Sequence, residues 1–231
     1  DAVLSFGEGS VGYYRKTFPH RKAVSILSIG SSQMKNGLRG APQALRLPTT
    51  ILYATGKYGI YVTDCSALAV TDEALFDAQK GLLDYFEKQS HADVVWKLNP
   101  TPHMGSVPFT TRKVKTVQFE ATFMDLLHNA RIVVLDSPST VAIEACASEK
   151  PVFALMTRLR YMPEALTLLK QRAIVCDSLD GLIMAIEGYF SAGEYPADLN
   201  DRAFSEAYGV CGGSGVIEER AIGVISSIMG A

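Results

Sequence analysis

An α/β fold with a doubly wound, mainly parallel sheet is predicted by three features of the sequence. From residue 49 onward, short runs rich in Val, Ile and Leu alternate with longer stretches of helical periodicity. The short runs lack a polar-apolar alternation, as strands buried on both faces do. The turns between them are brief, which suits right-handed strand-helix-strand crossovers and a sheet of about five or six strands.

Taken in order, residues 1–48 stand apart. Runs 3–5 and 23–29 look like strands, but Gly7, Gly9, Gly12, Gly30, Gly37 and Gly40 interrupt the stretch. It is expected to be the end of a preceding domain plus a linker, with the main domain at 49–231. There the expected strands are 49–54, 93–98, 131–135, 151–155 and 173–176. The first helix, 71–88, carries Leu75, Phe76, Leu82, Leu83 and Phe86 at core spacing, with Asp72 and Glu73 at its positive end. Later helices are expected at 141–148, 163–170 and 181–190. In 215–229, Val216, Ile217, Ile222, Ile225 and Ile228 recur at near-helical spacing and predict a helix packed back across the domain. Trp96, inside a strand, is expected in the core. The basic alternation of 111–120 is expected to be a solvated strand edge.

Composition narrows the function classes. A net charge of −2 provides no broad basic field, so nucleic acid is not an expected partner and phosphate binding must be local. Cys65, Cys146, Cys176 and Cys211 lie far apart without a CxxC pair. They predict reduced thiols in a cytoplasmic protein and no metal site. No apolar run approaches the roughly 20 residues of a membrane span. The chain opens on Asp1 in a strand-like run, and a domain preceding it is expected.

The segment richest in chemistry is 133–155, VVLDSPSTVAIEACASEKPVFAL, which reads as strand, turn, helix, strand. Asp136 and Ser137 end the strand, Pro138 opens the turn, and Ser139 and Thr140 fall at the helix start. Free backbone N–H groups there, with the hydroxyls, can hold a phosphate without a basic residue. Glu144 lies four residues past Thr140 on the same side, where a carboxylate can accept both hydroxyls of a ribose. Spacing alone fits ordinary N-capping by Ser137 or Ser139, with Glu144 on a solvated face, equally well.

The run DSPSTVAIEACASEKPVFAL resembles the C-terminal nucleotide-binding motif of GT-B glycosyltransferases of the surface or capsular polysaccharide type. In that motif a Ser/Thr turn holds donor phosphate and a Glu holds ribose. Further segments are similar in the same order. DAVLSFGE with AVSILSIGSS resembles the end of the N-terminal domain and its linker. ILYATGKYG resembles the first strand and glycine loop of a Rossmann-like C-terminal domain, VVWKLNPTP a strand ending in a His-Pro motif, and AFSEAYGVCGGSGVIEERAIGVI the terminal helices. The resemblance implies phosphate roles for Ser137, Ser139 and Thr140 and a ribose role for Glu144.

One departure is Asn99-Pro100 where the family carries His-Pro, whose His contacts donor phosphate. Asn99 can donate a hydrogen bond there but carries no charge. Lys97 at the strand end and His103 four residues past Asn99 are candidates to supply what Asn99 lacks. The loop Thr55, Gly56, Lys57, Tyr58, Gly59 follows the first strand at the carboxyl edge, where ligands of open α/β sheets bind. Its glycines fit a close ligand approach or a plain turn. Val117 or Phe119 would pass beside the base, and Arg158 and Arg160 lie at the same edge as candidates for a donor or acceptor anion.

The resemblance therefore implies a nucleotide-sugar-dependent glycosyltransferase in which this chain is the donor-binding half, inactive alone. The donor would be CMP-, CDP- or UDP-linked, the acceptor a glycan or lipid-linked glycan, and the general base outside the chain. No cofactor beyond the donor and no metal is expected, with a cytoplasmic location, either free or peripheral at the inner face of the membrane. Two alternatives stay open: a nucleotide-sugar 2-epimerase of the same fold, and a non-catalytic binding domain.

Overall fold

The computed structural model describes residues 2–5, 7–20, 25–28, 50–56, 58, 72–99, 109–157 and 161–209, with Glu219, Ile222, Gly223 and Ser226. Lys57, Gly59, His103, Arg158 and Arg160 lie outside the described residues, as do Cys65, Cys211 and all but those four residues of the expected helix at 215–229.

The chain begins with β1 (Ala2–Ser5), α1 (Glu8–Thr17) and β2 (Ser25–Ser28). The strands pair in parallel, Ala2 with Ser25 through Ser5 with Ser28, as a sheet of their own. Helix α1 corrects the expectation that the early glycines break the chain. A Cβ on Gly7 would run into the Ala207 carbonyl, and one on Gly9 would lie 2.7 Å from the Tyr208 ring. These glycines let α1 approach a helix near the other end of the chain, α7 (Ala203–Gly209). Their task is close packing, which outweighs their low helix propensity.

The main sheet contains β3 (Thr50–Ala54), β4 (Val94–Lys97), β5 (Lys115–Val117), β6 (Ala130–Leu135), β7 (Val152–Leu155) and β8 (Ile174–Cys176). Its order is β5-β4-β3-β6-β7-β8, and every pairing is parallel. The remaining helices are α2 (Asp72–Lys88), α3 (Phe123–Leu127), α4 (Thr140–Ala147), α5 (Pro163–Arg172) and α6 (Leu179–Ala192). This is the doubly wound Rossmann-like α/β sheet, with six strands. The solvated strand at 111–120 is β5, short and at the sheet edge with Lys115 and Thr116 exposed, as an unpaired edge requires.

Both sheet faces are buried, which explains the unalternating apolar runs. One core joins Ile51, Tyr53, Trp96 and Val134 to Leu82 and Phe86 of α2 and Ile186 of α6. The other joins Leu52, Val133 and Leu135 to Ala142 and Ala145 of α4, Leu169 of α5 and Phe204 of α7. Local signals set the helix ends: a capping box of Thr122 and Asp125 opens α3, Pro163 opens α5, and Ser178 caps α6, which stops at Gly193 with φ 72°.

Candidate functional site

The strand order places a topological switch between β3 and β6. From β3 the chain crosses through α2 on one face to β4; from β6 it crosses through α4 on the other face to β7. The two connections diverge at the carboxyl ends of β3 and β6, the place where open α/β sheets bind ligands. Thr55 and Gly56 leave β3 there, and Asp136 and Ser137 leave β6.

Asp136 fastens this edge together. It is fully buried, and its carboxylate accepts the Tyr53 hydroxyl at 2.7 Å and the Gly56 amide at 2.6 Å. The Thr157 hydroxyl donates to the Asp136 carbonyl, and Tyr161 donates to the Pro138 carbonyl at 2.6 Å. The loops after β3, β6 and β7 are thereby held to one another. Burial, reinforced by the Asp136 charge, keeps the Tyr53 phenol protonated well above its ordinary range.

Gly56 is required by this closeness. A Cβ there would sit 2.7 Å from the Ser137 Cβ and 3.5 Å from the Asp136 carboxylate. Its near approach is to Ser137, so the glycine serves the meeting of two loops. Gly56→Ala is expected to lower stability by about 1–3 kcal/mol through overpacking. A thermal melt measures this, and combination with Ser137→Gly, which removes the opposing Cβ, is expected to restore most of the loss.

Helix α4 begins beside that contact. Ser139 occupies the N-cap position, but its side chain makes no cap hydrogen bond, and Ser139 and Thr140 are exposed. The helix start thus presents hydroxyls not consumed by capping. One turn along, Glu144 is 9% exposed rather than on a solvated face. No group among the described residues hydrogen-bonds or ion-pairs with it, and burial raises its carboxyl pKa above the ordinary value. Ordinary capping with a solvated Glu144 is therefore not what the fold builds.

The opposite end of α4 is neutralised. Arg172, fully buried, donates Nε to the Cys146 carbonyl at 3.2 Å and Nη2 to those of Ser148 and Lys150 at 2.5 and 2.8 Å. Arg202 donates to the Ala147 carbonyl. These guanidiniums satisfy the carbonyls that a helix end leaves unpaired.

On the β4 side, Lys97 is buried and its ammonium donates to the Gln118 carbonyl, so it joins β4 to the loop after β5. Burial pulls its pKa down against the opposing pull of Glu120. Asn99 is half-buried and already has an interaction partner. Glu120 folds the β5 loop by accepting the Gln118 and Phe119 amides at 2.7 and 3.0 Å. Val117 is buried, whereas Phe119 is 66% exposed. Trp96 is in the core, beneath the site.

The structure thus sets Ser137, Ser139, Thr140 and Glu144 along the end of β6 and the first turns of α4, and ties Tyr53, Asp136, Thr157 and Tyr161, which the sequence did not assign to the site, into the same sheet edge. A carboxylate directly after an unbroken apolar strand was the available signal for Asp136. Among the described residues, no group of three or more His, Cys, Asp or Glu side chains could hold a metal ion. No helix among them is long and apolar enough to cross a membrane.

No family model and no curated protein matches the chain. Solved structures do. The pneumococcal O-GlcNAc transferase GtfA in complex with UDP and GlcNAc is similar at TM-score 0.56 and 10% identity, over 99% of this chain and 45% of that one. A glycosyltransferase from Rickettsia africae ESF-5 is similar at TM-score 0.53 and 10% identity, over 99% of this chain and 64% of that one. The UDP-GlcNAc 2-epimerase from Neisseria meningitidis bound to UDP-GlcNAc is similar at TM-score 0.52 and 15% identity, over 87% of this chain and 56% of that one. The chain therefore spans less than two thirds of the length of these proteins. At such identities the likeness establishes the Rossmann-like fold.

Proposed function

We propose that this chain is the donor-binding part of a nucleotide-sugar-dependent glycosyltransferase of surface-polysaccharide synthesis, working at the cytoplasmic face of the membrane. The observation that carries the proposal is Glu144: a buried carboxylate with no partner among the described residues, one turn beyond an uncapped helix start, at the topological switch point. The start of α4, with Ser137, Ser139 and Thr140, takes the donor phosphate, and Glu144 takes the ribose hydroxyls. Phe119 stands at the same edge as a face for the base. The same fold in two glycosyltransferases supports this reading.

In the reaction, the N–H groups at the start of α4 stabilise the charge that grows on the leaving phosphate as the bond to the sugar breaks. The acceptor hydroxyl of a glycan or lipid-linked glycan attacks from the other side of the site. Its proton goes to a base supplied from outside this chain. The 231-residue chain is accordingly expected to bind CMP, CDP or UDP in a calorimetric titration and to transfer no sugar from any donor. Absence of binding for all three nucleotides would refute the donor site, and turnover would refute the placement of the base.

A second reading is a 2-epimerase, favoured by the fold shared with the UDP-GlcNAc 2-epimerase. Incubating the protein with UDP-GlcNAc and no acceptor separates the two, since an epimerised sugar nucleotide appears only under the second.

A further inference from the structure

Charge is divided unevenly along the chain. Residues 9–63 hold eight Lys and Arg and no Asp or Glu, whereas the rest of the chain holds fourteen Lys and Arg against 24 Asp and Glu. The overall charge of −2 therefore joins a strongly positive stretch to a strongly negative remainder, a division that suits contact with an anionic surface through one side only. Arg15 and Lys16, in the last turn of α1, are the two of those eight cations among the described residues, and both are exposed.

The same helix carries an apolar stripe that is only half covered. Gly7, Val11, Tyr14 and Phe18 follow one another at spacings of four, three and four residues, so they fall along one face. Gly7 and Val11 are buried, and Gly7 lies against Ala207 of α7. From Gly12 to His20 every residue is exposed, so Tyr14 and Phe18 continue that face into solvent. Their rings stack with centroids 6.3 Å apart, Tyr13 packs edge-on to Tyr14 at 5.8 Å, and His20 packs edge-on to Phe18 at 6.4 Å. The other exposed large apolar side chains among the described residues, Phe119, Met162, Met184 and Ile222, are far apart in sequence. A cluster of exposed rings beside cations, in a chain that is otherwise acidic, marks an interaction surface.

The chemistry of the patch narrows the partner. Tyr and Phe rings beside Arg and Lys suit the headgroup region of a membrane, where rings sit at the polar-apolar boundary and cations meet lipid phosphate. A single-stranded nucleic acid needs ring faces open to its bases, whereas Tyr14 and Phe18 cover one another. Glu164 of α5 pairs with Lys16 at 3.2 Å, but both partners are exposed and the pair yields at little cost. Deepening the membrane-face location proposed above, and resting on that part of the reading alone, we infer that the C-terminal half of α1 docks on an anionic lipid surface through Tyr14, Phe18, Arg15 and Lys16.

The test is co-sedimentation of the 231-residue chain with vesicles of phosphatidylcholine and with vesicles of equal parts phosphatidylcholine and phosphatidylglycerol. The parent is expected to bind the mixed vesicles at least about 10-fold more tightly than the neutral ones, and to lose that advantage as salt rises. Arg15→Glu with Lys16→Glu, and separately Tyr14→Ser with Phe18→Ser, should each weaken binding about 10-fold or more. Because all four side chains are exposed, circular dichroism and thermal melts of both variants should match the parent. Arg112→Glu with Lys113→Glu, an equal charge change at exposed cations outside α1, should alter vesicle binding by less than about 2-fold. Vesicle binding of this pattern by a parent that takes no nucleotide refutes the donor site and leaves the docking surface standing. Equal binding to neutral and anionic vesicles overturns the inference, as does an equal loss in the Arg112 and Lys113 variant, or a parent that binds an oligonucleotide more tightly than anionic vesicles at the same salt. Self-association of the parent that Tyr14→Ser with Phe18→Ser abolishes also overturns it, because a second copy of the chain would then cover the rings.

Discussion

Replacing Glu144 by alanine is expected to weaken nucleotide binding about 10- to 150-fold, the equivalent of about 1.5–3 kcal/mol for hydrogen bonds to a charged group. The loss should be larger than that from Ser139→Ala or Thr140→Ala, because the backbone donors at the start of α4 remain when a hydroxyl is removed. Glu144 is already buried before any ligand arrives. Removing it from the free protein relieves a carboxylate that lacks a compensating partner among the described residues. Glu144→Gln should therefore raise the stability of the free protein by about 1 kcal/mol, or roughly 2–4 °C in Tm, while still weakening nucleotide binding. Opposite signs for stability and affinity distinguish a binding residue from a structural one, whose loss would lower both.

The pH dependence follows the same logic. The folded-state carboxyl pKa of Glu144 is raised by burial, so between the unfolded and folded values the native state holds more protons than the unfolded chain. Its contribution to stability falls as pH rises through that window, just above the ordinary carboxylate range. Nucleotide affinity should move oppositely, weakening as pH falls through the window, because a protonated Glu144 loses the charge that favours the ribose hydroxyls. Calorimetric titrations of the parent and of Glu144→Gln across mildly acidic pH isolate this component, since titration of the nucleotide phosphate is common to both. Parallel profiles would remove Glu144 from the site.

The second large effect is on folding. Arg172→Leu is expected to destabilise the protein by about 3–5 kcal/mol, because it strips hydrogen bonds from three buried or half-buried carbonyls and puts nothing polar in their place. Those carbonyls, of Cys146, Ser148 and Lys150, close the end of α4 and the turn into β7. The Tyr195 hydroxyl joins the same network, donating toward the Val152 and Arg172 carbonyls at 3.0 and 2.9 Å and accepting the Val152 amide at 3.0 Å. Urea unfolding of Arg172→Leu and of Arg172→Lys measures the effect, and lysine should recover only part of it, since one ammonium cannot reproduce the planar fork. A Leu variant as stable as the parent would show that water takes over these carbonyls.

The sequence by itself determined the main sheet. Unalternating apolar runs are the mark of strands buried on both faces, and the helical stretches between them impose parallel crossovers, so β3, β4, β6, β7 and β8 were legible to within a residue or two. Segment 133–155 was legible for the same reason, because a strand, a Ser-Thr turn and a helical Glu are all encoded within a few residues of one another. Helix α1 was not, since Gly7 and Gly9 are explained only by their contact with Ala207 and Tyr208, nearly the whole chain away. Tertiary structure alone decided that Glu144 is buried without a partner among the described residues, and that Asp136 bonds Tyr53 and Gly56 across 83 and 80 residues of sequence. Periodicity reports whether an element has a buried face, whereas hydrogen-bond partners at the ends of neighbouring strands depend on strand order and register, and those exist only once the sheet is assembled.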